Sequence, residues 1–255
     1  MKKKVVKIAL VQMNSEKAAI DRNLELMKRY IIASRENGVD IICFPEMNIT
    51  GYIDPIKHSH AIITFDHRAI DQVIILSGLY NMCIIAGFVE YNPMGKPYIT
   101  QFVAHNGKLL GFYRKQTIKD GEEDWFAPGD QQPTFFVSGV TFGLSVCADI
   151  DDSSIFSKYA EKGATIVFES AAPGLYGDQE TRNWSSGYHW WRSKCMDQLG
   201  NYAAKESLYI GVATQAGRTT DEDFPGGGYL FNPRGECTAE SGDWNEGVIY
   251  VQMEI

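Results

Sequence analysis

Short apolar runs alternate along this chain with segments of helical periodicity, and this order constrains the fold more than any other feature. Residues 4–12, 40–44 and 82–89 are rich in valine, isoleucine and leucine, which is typical of buried strands. Between them, residues 20–31 and 70–77 carry apolar side chains every three or four positions, which places these side chains on one face of a helix. The order strand, helix, strand, helix, strand predicts an α/β sheet.

The remainder of the chain continues this sheet. We predict further strands at residues 98–104, 108–113, 134–137, 140–146, 164–168, 208–214, 226–232 and 247–254. Turn signals join two pairs of them into hairpins, polar residues 114–130 form a loop, one helix starts within 151–154 and another spans 188–206. Because no stretch has the composition of a linker, we expect one domain over residues 1–255.

Charge and hydropathy argue against nucleic-acid and membrane partners. The formal net charge of −8 is unfavourable for phosphate binding, and the only basic cluster is the three lysines at residues 2–4. The apolar stretch that follows is interrupted by Lys7 and Gln12, so we interpret it as a strand rather than a signal peptide. No run approaches the ~18 apolar residues of a membrane helix, and we expect a cytoplasmic protein.

The cysteines form no disulfide or metal-binding pattern. They are odd in number and widely spaced, with no C-x-x-C pair, so we expect neither a disulfide framework nor a structural zinc site. Any one of them can be a small buried hydrophobic side chain. The five are Cys43, Cys83, Cys147, Cys195 and Cys237.

Three residues with useful chemistry stand where predicted strands end. Glu46 and Lys115 each follow a strand, and Cys147 ends one. Ligands of open α/β sheets bind beyond the carboxyl ends of strands, so such residues can converge although they are far apart in sequence. Each also has a plain structural interpretation, as a solvated carboxylate, an exposed lysine and a buried cysteine.

Cys147 has the setting of a nucleophile, between an apolar strand and a helix start that would stabilise a thiolate. A thiol nucleophile needs a base, and Glu46 can serve if burial raises its pKa towards neutrality. Lys115 can supply positive charge. A Cys–His arrangement stays open, although none of the five histidines stands at a clear strand end.

Several motifs occur in a fixed order around these residues. They are residues 7–13, Phe44-Pro45-Glu46 with Thr50-Gly51-Tyr52, Tyr113-Arg114-Lys115, residues 125–130, residues 143–149, and Gly227-Gly228 with Pro233 and Gly235. Through their joint order and spacing the chain resembles the nitrilase superfamily, also called the carbon–nitrogen hydrolases, over nearly its whole length.

The resemblance implies a fold and a site together. It implies a four-layer α-β-β-α sandwich and a Glu–Lys–Cys triad of Glu46, Lys115 and Cys147 that works without metal or cofactor. It also implies a second glutamate near the lysine, for which Glu122 is favoured and Glu123 is the alternative. Members of the family usually form dimers or larger assemblies, so we expect a homodimer or higher homo-oligomer.

The implied activity is hydrolysis of a small linear amide to a carboxylic acid and ammonia through a cysteine thioester. An N-carbamoyl hydrolase, a nitrilase and a catalytically silent binding module are the alternatives. We expect the backbone N–H of Ala148 to stabilise the oxyanion beside the lysine, and Tyr52 and Trp125 to shape the pocket. Thr117, Ala148 and residues 152–156 depart from the family's common residues, which leaves the substrate open.

Overall fold

Thirteen strands and five α-helices make up the described part of the chain, which comprises residues 5–175, 181, 183–242 and 244–254 of a computed structural model. The strands are β1 (Val5–Met13), β2 (Ile41–Cys43), β3 (Cys83–Glu90), β4 (Tyr98–His105), β5 (Lys108–Arg114), β6 (Phe135–Val137), β7 (Val140–Val146), β8 (Ile166–Ala171), β9 (Tyr209–Arg218), β10 (Asp223–Pro225), β11 (Tyr229–Phe231), β12 (Cys237–Glu240) and β13 (Gly247–Glu254). The helices are α1 (Ile20–Glu36), α2 (Arg68–Leu79), α3 (Ser153–Glu161), α4 (Trp184–Lys194) and α5 (Gly200–Glu206). Short 3₁₀ turns lie at Ser59–Ala61, Glu122–Asp124 and Cys147–Asp151, and a π-helical segment spans Cys195–Leu199.

The strands follow one path, in the order β5-β4-β3-β2-β1-β9-β8-β7-β6. Six consecutive strands of this path, β3, β2, β1, β9, β8 and β7, run parallel. Strand β5 shares their direction because it is antiparallel to β4, which is antiparallel to β3. The carboxyl ends of β2, β5, β7 and β8 therefore lie at the same edge. Only two residue pairs, Gln12 with Thr214 and Met13 with Gln215, join β1 to β9, so the path divides there into two halves.

Three apolar cores separate four layers. Strand β1 shows the arrangement, because Ile8 and Leu10 belong to the central core while Ala9 and Val11 face the core under α1 and α2. The central core combines side chains from both halves of the strand path, and the third core lies under α3, α4 and α5. Helices thus cover the outer face of each half, and the predicted α-β-β-α sandwich is confirmed. Burial of each large aliphatic side chain in these cores stabilises the fold by roughly 1.5–3 kcal/mol.

Most element predictions hold within a few residues, and the exceptions have local causes. The helix predicted over 188–206 begins earlier, at Trp184, because the Asn183 side chain accepts a hydrogen bond from the backbone N–H of Ser186 at 2.9 Å and caps it. It is also interrupted by the π-helical segment. The prediction missed the short strands β10 and β12, which pair antiparallel with β9 and β11. The predicted first residue of β1, residue 4, lies outside the described residues.

The 3₁₀ turn at Cys147–Asp151 immediately follows β7, before α3 begins. Asp152 caps α3 by accepting from the backbone N–H of Ser154 at 2.9 Å, which agrees with a helix start predicted within 151–154. Cys147 therefore belongs to a tight turn between a strand and a helix. None of the described helices combines the length and the apolar character that crossing a membrane would require.

Candidate active site

Glu46, Lys115 and Cys147 meet at one edge of the sandwich. Glu46 lies three residues beyond β2, Lys115 directly follows β5, and Cys147 directly follows β7. The Lys115 Nζ lies 3.0 Å from Glu46 Oε1, and the two side chains are 1% and 0% exposed. Burial of such an ion pair is costly unless hydrogen bonds satisfy both groups, so the remaining partners of each group decide whether the pair is stable.

The second carboxylate beside the lysine belongs to Glu122. The Lys115 Nζ lies 2.9 Å and 2.7 Å from its two oxygens, and the Tyr52 hydroxyl donates to Oε1 at 2.6 Å. Glu123 is exposed and accepts from the backbone N–H of Gly121 at 2.7 Å. Of the two glutamates proposed from the sequence, Glu122 is therefore the one that contacts Lys115. We call Glu46, Lys115, Glu122 and Cys147 the inner site.

Burial sets the protonation of Glu46. It raises the pKa of this carboxyl from its ordinary value to about 7, against the opposing charge of Lys115. Neighbouring Glu122 raises the pKa further, whereas the Lys115 hydrogen bond and the hydrogen bond with Cys147 lower it. The backbone N–H of Ala172, just beyond β8, donates to Oε2 at 3.0 Å. A carboxylate with a pKa near 7 suits general base chemistry at neutral pH.

Cys147 adopts a strained backbone conformation. Its φ is +49°, in the left-handed region that residues with side chains rarely adopt, and such strain is often found at functional sites. The residue keeps partial exposure, but its thiol lies deep enough that burial raises the pKa well above the ordinary value. Glu46 raises that pKa further and Lys115 lowers it; no histidine is among the groups of largest influence. The resting thiol therefore keeps its proton beside a candidate base.

Lys115 remains a cation in this environment. Burial lowers the pKa of its ammonium group, but Glu46, Cys147 and Glu122 raise it well above the ordinary value. The inner site thus combines a thiol, a fixed positive charge and a carboxylate of near-neutral pKa. In the parts of the chain that the structure describes, no cluster of three histidine, cysteine or acidic side chains could hold a metal ion.

Two residues at this edge were missed as individual contributors by the sequence analysis. Ala172 acts through its backbone N–H, for which side-chain identity gives no signal. Asp149 is fully buried, and its carboxylate accepts hydrogen bonds from both sides of the site. An acidic residue between the apolar Ala148 and Ile150 was the available signal, because buried carboxylates need partners.

A cavity of about 470 Å³ opens beside the inner site, with Tyr52, Glu122 and Trp125 among its lining residues. Ala148 lies outside this lining and is buried next to Cys147. The outer part of the cavity, which we call the mouth, is lined by charged side chains. They are Lys17, Asp54, Lys57, Asp120, Asp124, Asp221 and Glu222.

Ion pairs in the mouth join Lys17 to a distant loop and Lys57 to a residue of its own loop. Lys17 lies 2.7 Å from Asp221 and 3.0 Å from Glu222, and Lys57 lies 3.3 Å from Asp54. Asp221 is about half exposed and Lys57 mostly exposed. The mouth therefore holds charged side chains that are open to water, whereas the Lys115–Glu46 ion pair of the inner site is buried.

Comparison with known proteins identifies the family of this chain. A family model described as carbon-nitrogen hydrolase matches residues 7–255. A glutamine-dependent NAD(+) synthetase of Acinetobacter baylyi is 23% identical over 99% of this chain, and a probable nitrilase of Schizosaccharomyces pombe is 25% identical over 97% of it. The chain spans only 45% of the synthetase but 88% of the probable nitrilase.

A solved structure matches the fold closely. An amidase of Nesterenkonia from the nitrilase superfamily superimposes with a TM-score of 0.84 at 22% identity, covering 98% of this chain and 90% of that one. A variant of the same amidase carries the acetamide moiety of fluoroacetamide on its active-site cysteine. The family match over almost the entire length is decisive, and this chain belongs to the carbon–nitrogen hydrolase family.

Proposed function

We propose that this protein hydrolyses a small linear amide to a carboxylic acid and ammonia through a thioester on Cys147. The observation that carries the proposal is the buried Lys115 ammonium, held between the carboxylates of Glu46 and Glu122 beside a thiol on a strained turn. Nucleophile, base and positive charge are the three components that covalent acyl transfer requires.

In the first half-reaction, Glu46 takes the proton from the Cys147 thiol while the sulfur attacks the amide carbon. The carbonyl oxygen becomes an oxyanion, which the Lys115 ammonium and the backbone N–H of Ala148 stabilise. Glu46 then gives the proton to the amide nitrogen, and the C–N bond breaks. Ammonia departs, and the acyl group remains on Cys147 as a thioester. Loss of one oxyanion donor typically raises the barrier by ~3 kcal/mol.

In the second half-reaction, water replaces ammonia. Glu46 takes a proton from this water as its oxygen attacks the thioester carbon, and the same two donors stabilise the second oxyanion. The C–S bond breaks, the acid leaves, and the proton on Glu46 returns to the sulfur. A pKa of about 7 supports both directions of this transfer, because the group can lose or gain a proton near neutrality.

Glu122 and Tyr52 serve the lysine and the pocket in this proposal. Glu122 contacts Lys115 with both oxygens and fixes the direction of the ammonium group. The Tyr52 hydroxyl holds Glu122, and both residues line the cavity with Trp125, where they would contact the substrate. The small Ala148 side chain leaves room next to the nucleophile.

Ammonia release tests the proposal directly. We would measure it with small linear amides, glutamine, N-carbamoyl amino acids and nitriles, because relatives include a glutamine-dependent synthetase and a probable nitrilase. Linear amides should be the best substrates. A preference for carbamoyl compounds or nitriles would replace the amide assignment with the corresponding alternative.

Cysteine variants identify the nucleophile. Cys147→Ala should lower kcat by a factor on the order of 10⁶, the cost of removing a nucleophile from a comparable triad. Cys237→Ala is the matched control, because Cys237 is the other partly exposed cysteine and lies outside the site. Unchanged turnover in Cys147→Ala would rule out the mechanism, and no ammonia from any substrate would favour the silent binding module.

A further inference from the structure

The inner site depends on alignment between two distant parts of the strand path. Lys115 follows β5, at one end of the path, while Cys147 follows β7, near the other end. The two strands do not pair with each other. A nucleophile and an oxyanion donor on separate elements need a rigid connection, because a misplacement of ~1 Å can cost about 10²-fold in rate.

The Asp149 carboxylate forms such a connection. Its Oδ1 accepts from the backbone N–H groups of Gln116 at 3.1 Å and Thr117 at 2.7 Å, directly after Lys115. Its Oδ2 accepts from the backbone N–H of Val146 at 2.9 Å, directly before Cys147, and from the Tyr113 hydroxyl at 2.7 Å. One fully buried side chain thus joins the residues that flank Lys115 to the residue that precedes the nucleophile.

We propose that Asp149 is a positioning residue that holds the Cys147 thiol in register with the Lys115 ammonium group. The inference rests on the proposed function, and it adds a residue that touches neither substrate nor reacting atoms. The Val146 bond matters most, because Val146 leads into the strained turn at Cys147. Without that bond, the turn is free to relax away from its left-handed conformation.

The four donors explain why a carboxylate is needed. All four partners donate a hydrogen bond to Asp149, and both oxygens of an ionised carboxylate act only as acceptors. An asparagine would have to turn its NH₂ group towards one pair of donors. The pair at Oδ1 consists of two backbone N–H groups that cannot accept, whereas the Tyr113 hydroxyl at Oδ2 can rotate and accept. We therefore expect Asp149→Asn to keep the bonds to Gln116 and Thr117 and to lose the Val146 bond.

The central test measures kcat and KM of Asp149→Asn well below its Tm. We expect kcat to fall about 10²-fold, the cost of a small misalignment, while KM stays close to that of the unmodified protein. The alkylation of Cys147 by iodoacetamide, followed by mass spectrometry, should slow in parallel across the pH range. A KM increase at constant kcat, or an unchanged kcat per folded molecule, would overturn the proposal.

Two further variants keep the test decisive. Asp151→Asn is the matched control, because Asp151 lies in the same turn but pairs with Lys119 and Lys194 instead of with the residues that flank the triad, and it should leave kcat unchanged. Tyr113→Phe removes one of the four donors and should lower kcat several-fold with KM unchanged. If Asp149→Asn does not fold, the kcat of Tyr113→Phe tests the proposal instead. An unchanged kcat in that variant contradicts the proposal.

The alkylation measurement separates this inference from the proposed function. It needs no substrate, so it reports on Cys147 even if no amide is hydrolysed. Ammonia release that fails in the unmodified protein would overturn the proposed function alone. Alkylation of Cys147 that is equally fast with aspartate and asparagine at position 149 would overturn the inference alone.

Discussion

The inner site and the mouth contain similar ion pairs in opposite surroundings. In the inner site, Lys115 and Glu46 lie 3.0 Å apart and are 1% and 0% exposed. In the mouth, Lys57 and Asp54 lie 3.3 Å apart, and their side chains are 71% and 14% exposed. The separations are comparable, so the two pairs differ mainly in how far their side chains are exposed to water.

This comparison teaches where charge can influence chemistry. An exposed ion pair contributes about 0–1 kcal/mol because water and salt screen it. Removal of one partner from a buried pair costs about 3–5 kcal/mol because the other charge is left unpaired. We therefore expect the inner site to control the reaction, and the mouth to adjust only how readily substrates approach.

Among the substitutions that compare the inner site with the mouth, Glu46→Gln should have the largest effect. Glutamine keeps the size of the side chain but cannot take a proton, so kcat should fall about 10²- to 10⁴-fold. Steady-state kinetics on the best amide would measure the loss. The matched control is Glu123→Gln, a neighbouring but exposed glutamate, which should retain full activity. Equal activity in the two variants would refute a role for Glu46 as base.

Lys115→Met should come next and should affect both rate and stability. It removes one oxyanion donor, which should lower kcat about 10²- to 10³-fold. It also leaves two buried carboxylates without their cation, and should lower the free energy of unfolding by about 3–5 kcal/mol. Urea titration measures the second effect. Lys57→Met in the mouth should lower the free energy of unfolding by at most about 1 kcal/mol. An equal loss in the two variants would contradict the difference between the inner site and the mouth.

The pH dependence should give a smaller, graded effect. Since Glu46 must be ionised to act as base and its pKa is raised to about 7, kcat/KM should fall about tenfold per pH unit below that value. The same shift affects folding, because the folded state holds this proton more tightly than the unfolded state. The resulting stabilisation is present below the ordinary pKa of 4.5 and is lost as the pH rises through about 7. A rate profile that is flat between pH 5 and 8, roughly the range in which this group titrates, would contradict the assignment.

The smallest effect should come from Asp221→Asn in the mouth. Lys17 keeps Glu222 as a partner at 3.0 Å, so we expect the free energy of unfolding to change by less than about 1 kcal/mol. The value of kcat should not change, and any change in KM should diminish at high salt because the group is exposed. A large fall in kcat that persists at high salt would show that the mouth shares in the chemistry.

Much of the fold was predictable from local patterns. Apolar runs marked the strands and helical spacing marked α1 and α2, so the alternation indicated an α/β sheet before any contact was known. Glu46, Lys115 and Cys147 could be placed at strand ends for the same reason, and the structure confirms those positions. Their catalytic roles remain proposals, and assembly into a homo-oligomer stays a prediction from the resemblance.

Other features required contacts between distant segments. Glu122 and Glu123 are chemically identical neighbours, and only the packing of their 3₁₀ turn against Lys115 distinguishes the buried one from the exposed one. The short strands β10 and β12 carry too few residues for a periodic signal. The early start of α4 came from a single capping side chain, which competing local preferences easily obscure.

By itself, the sequence determined the alternating strands and helices, the family, and the three strand-end residues. These features depend on apolar periodicity and motif order, which can be read from the sequence without knowledge of tertiary contacts. The tertiary structure alone decided that Glu122 faces Lys115, that the Ala172 backbone holds Glu46, and that Asp149 connects the two sides of the site. The physical reason is that burial and hydrogen bonding join residues far apart in the chain. These interactions set the pKa of Glu46 and the alignment of Cys147, which no local pattern encodes.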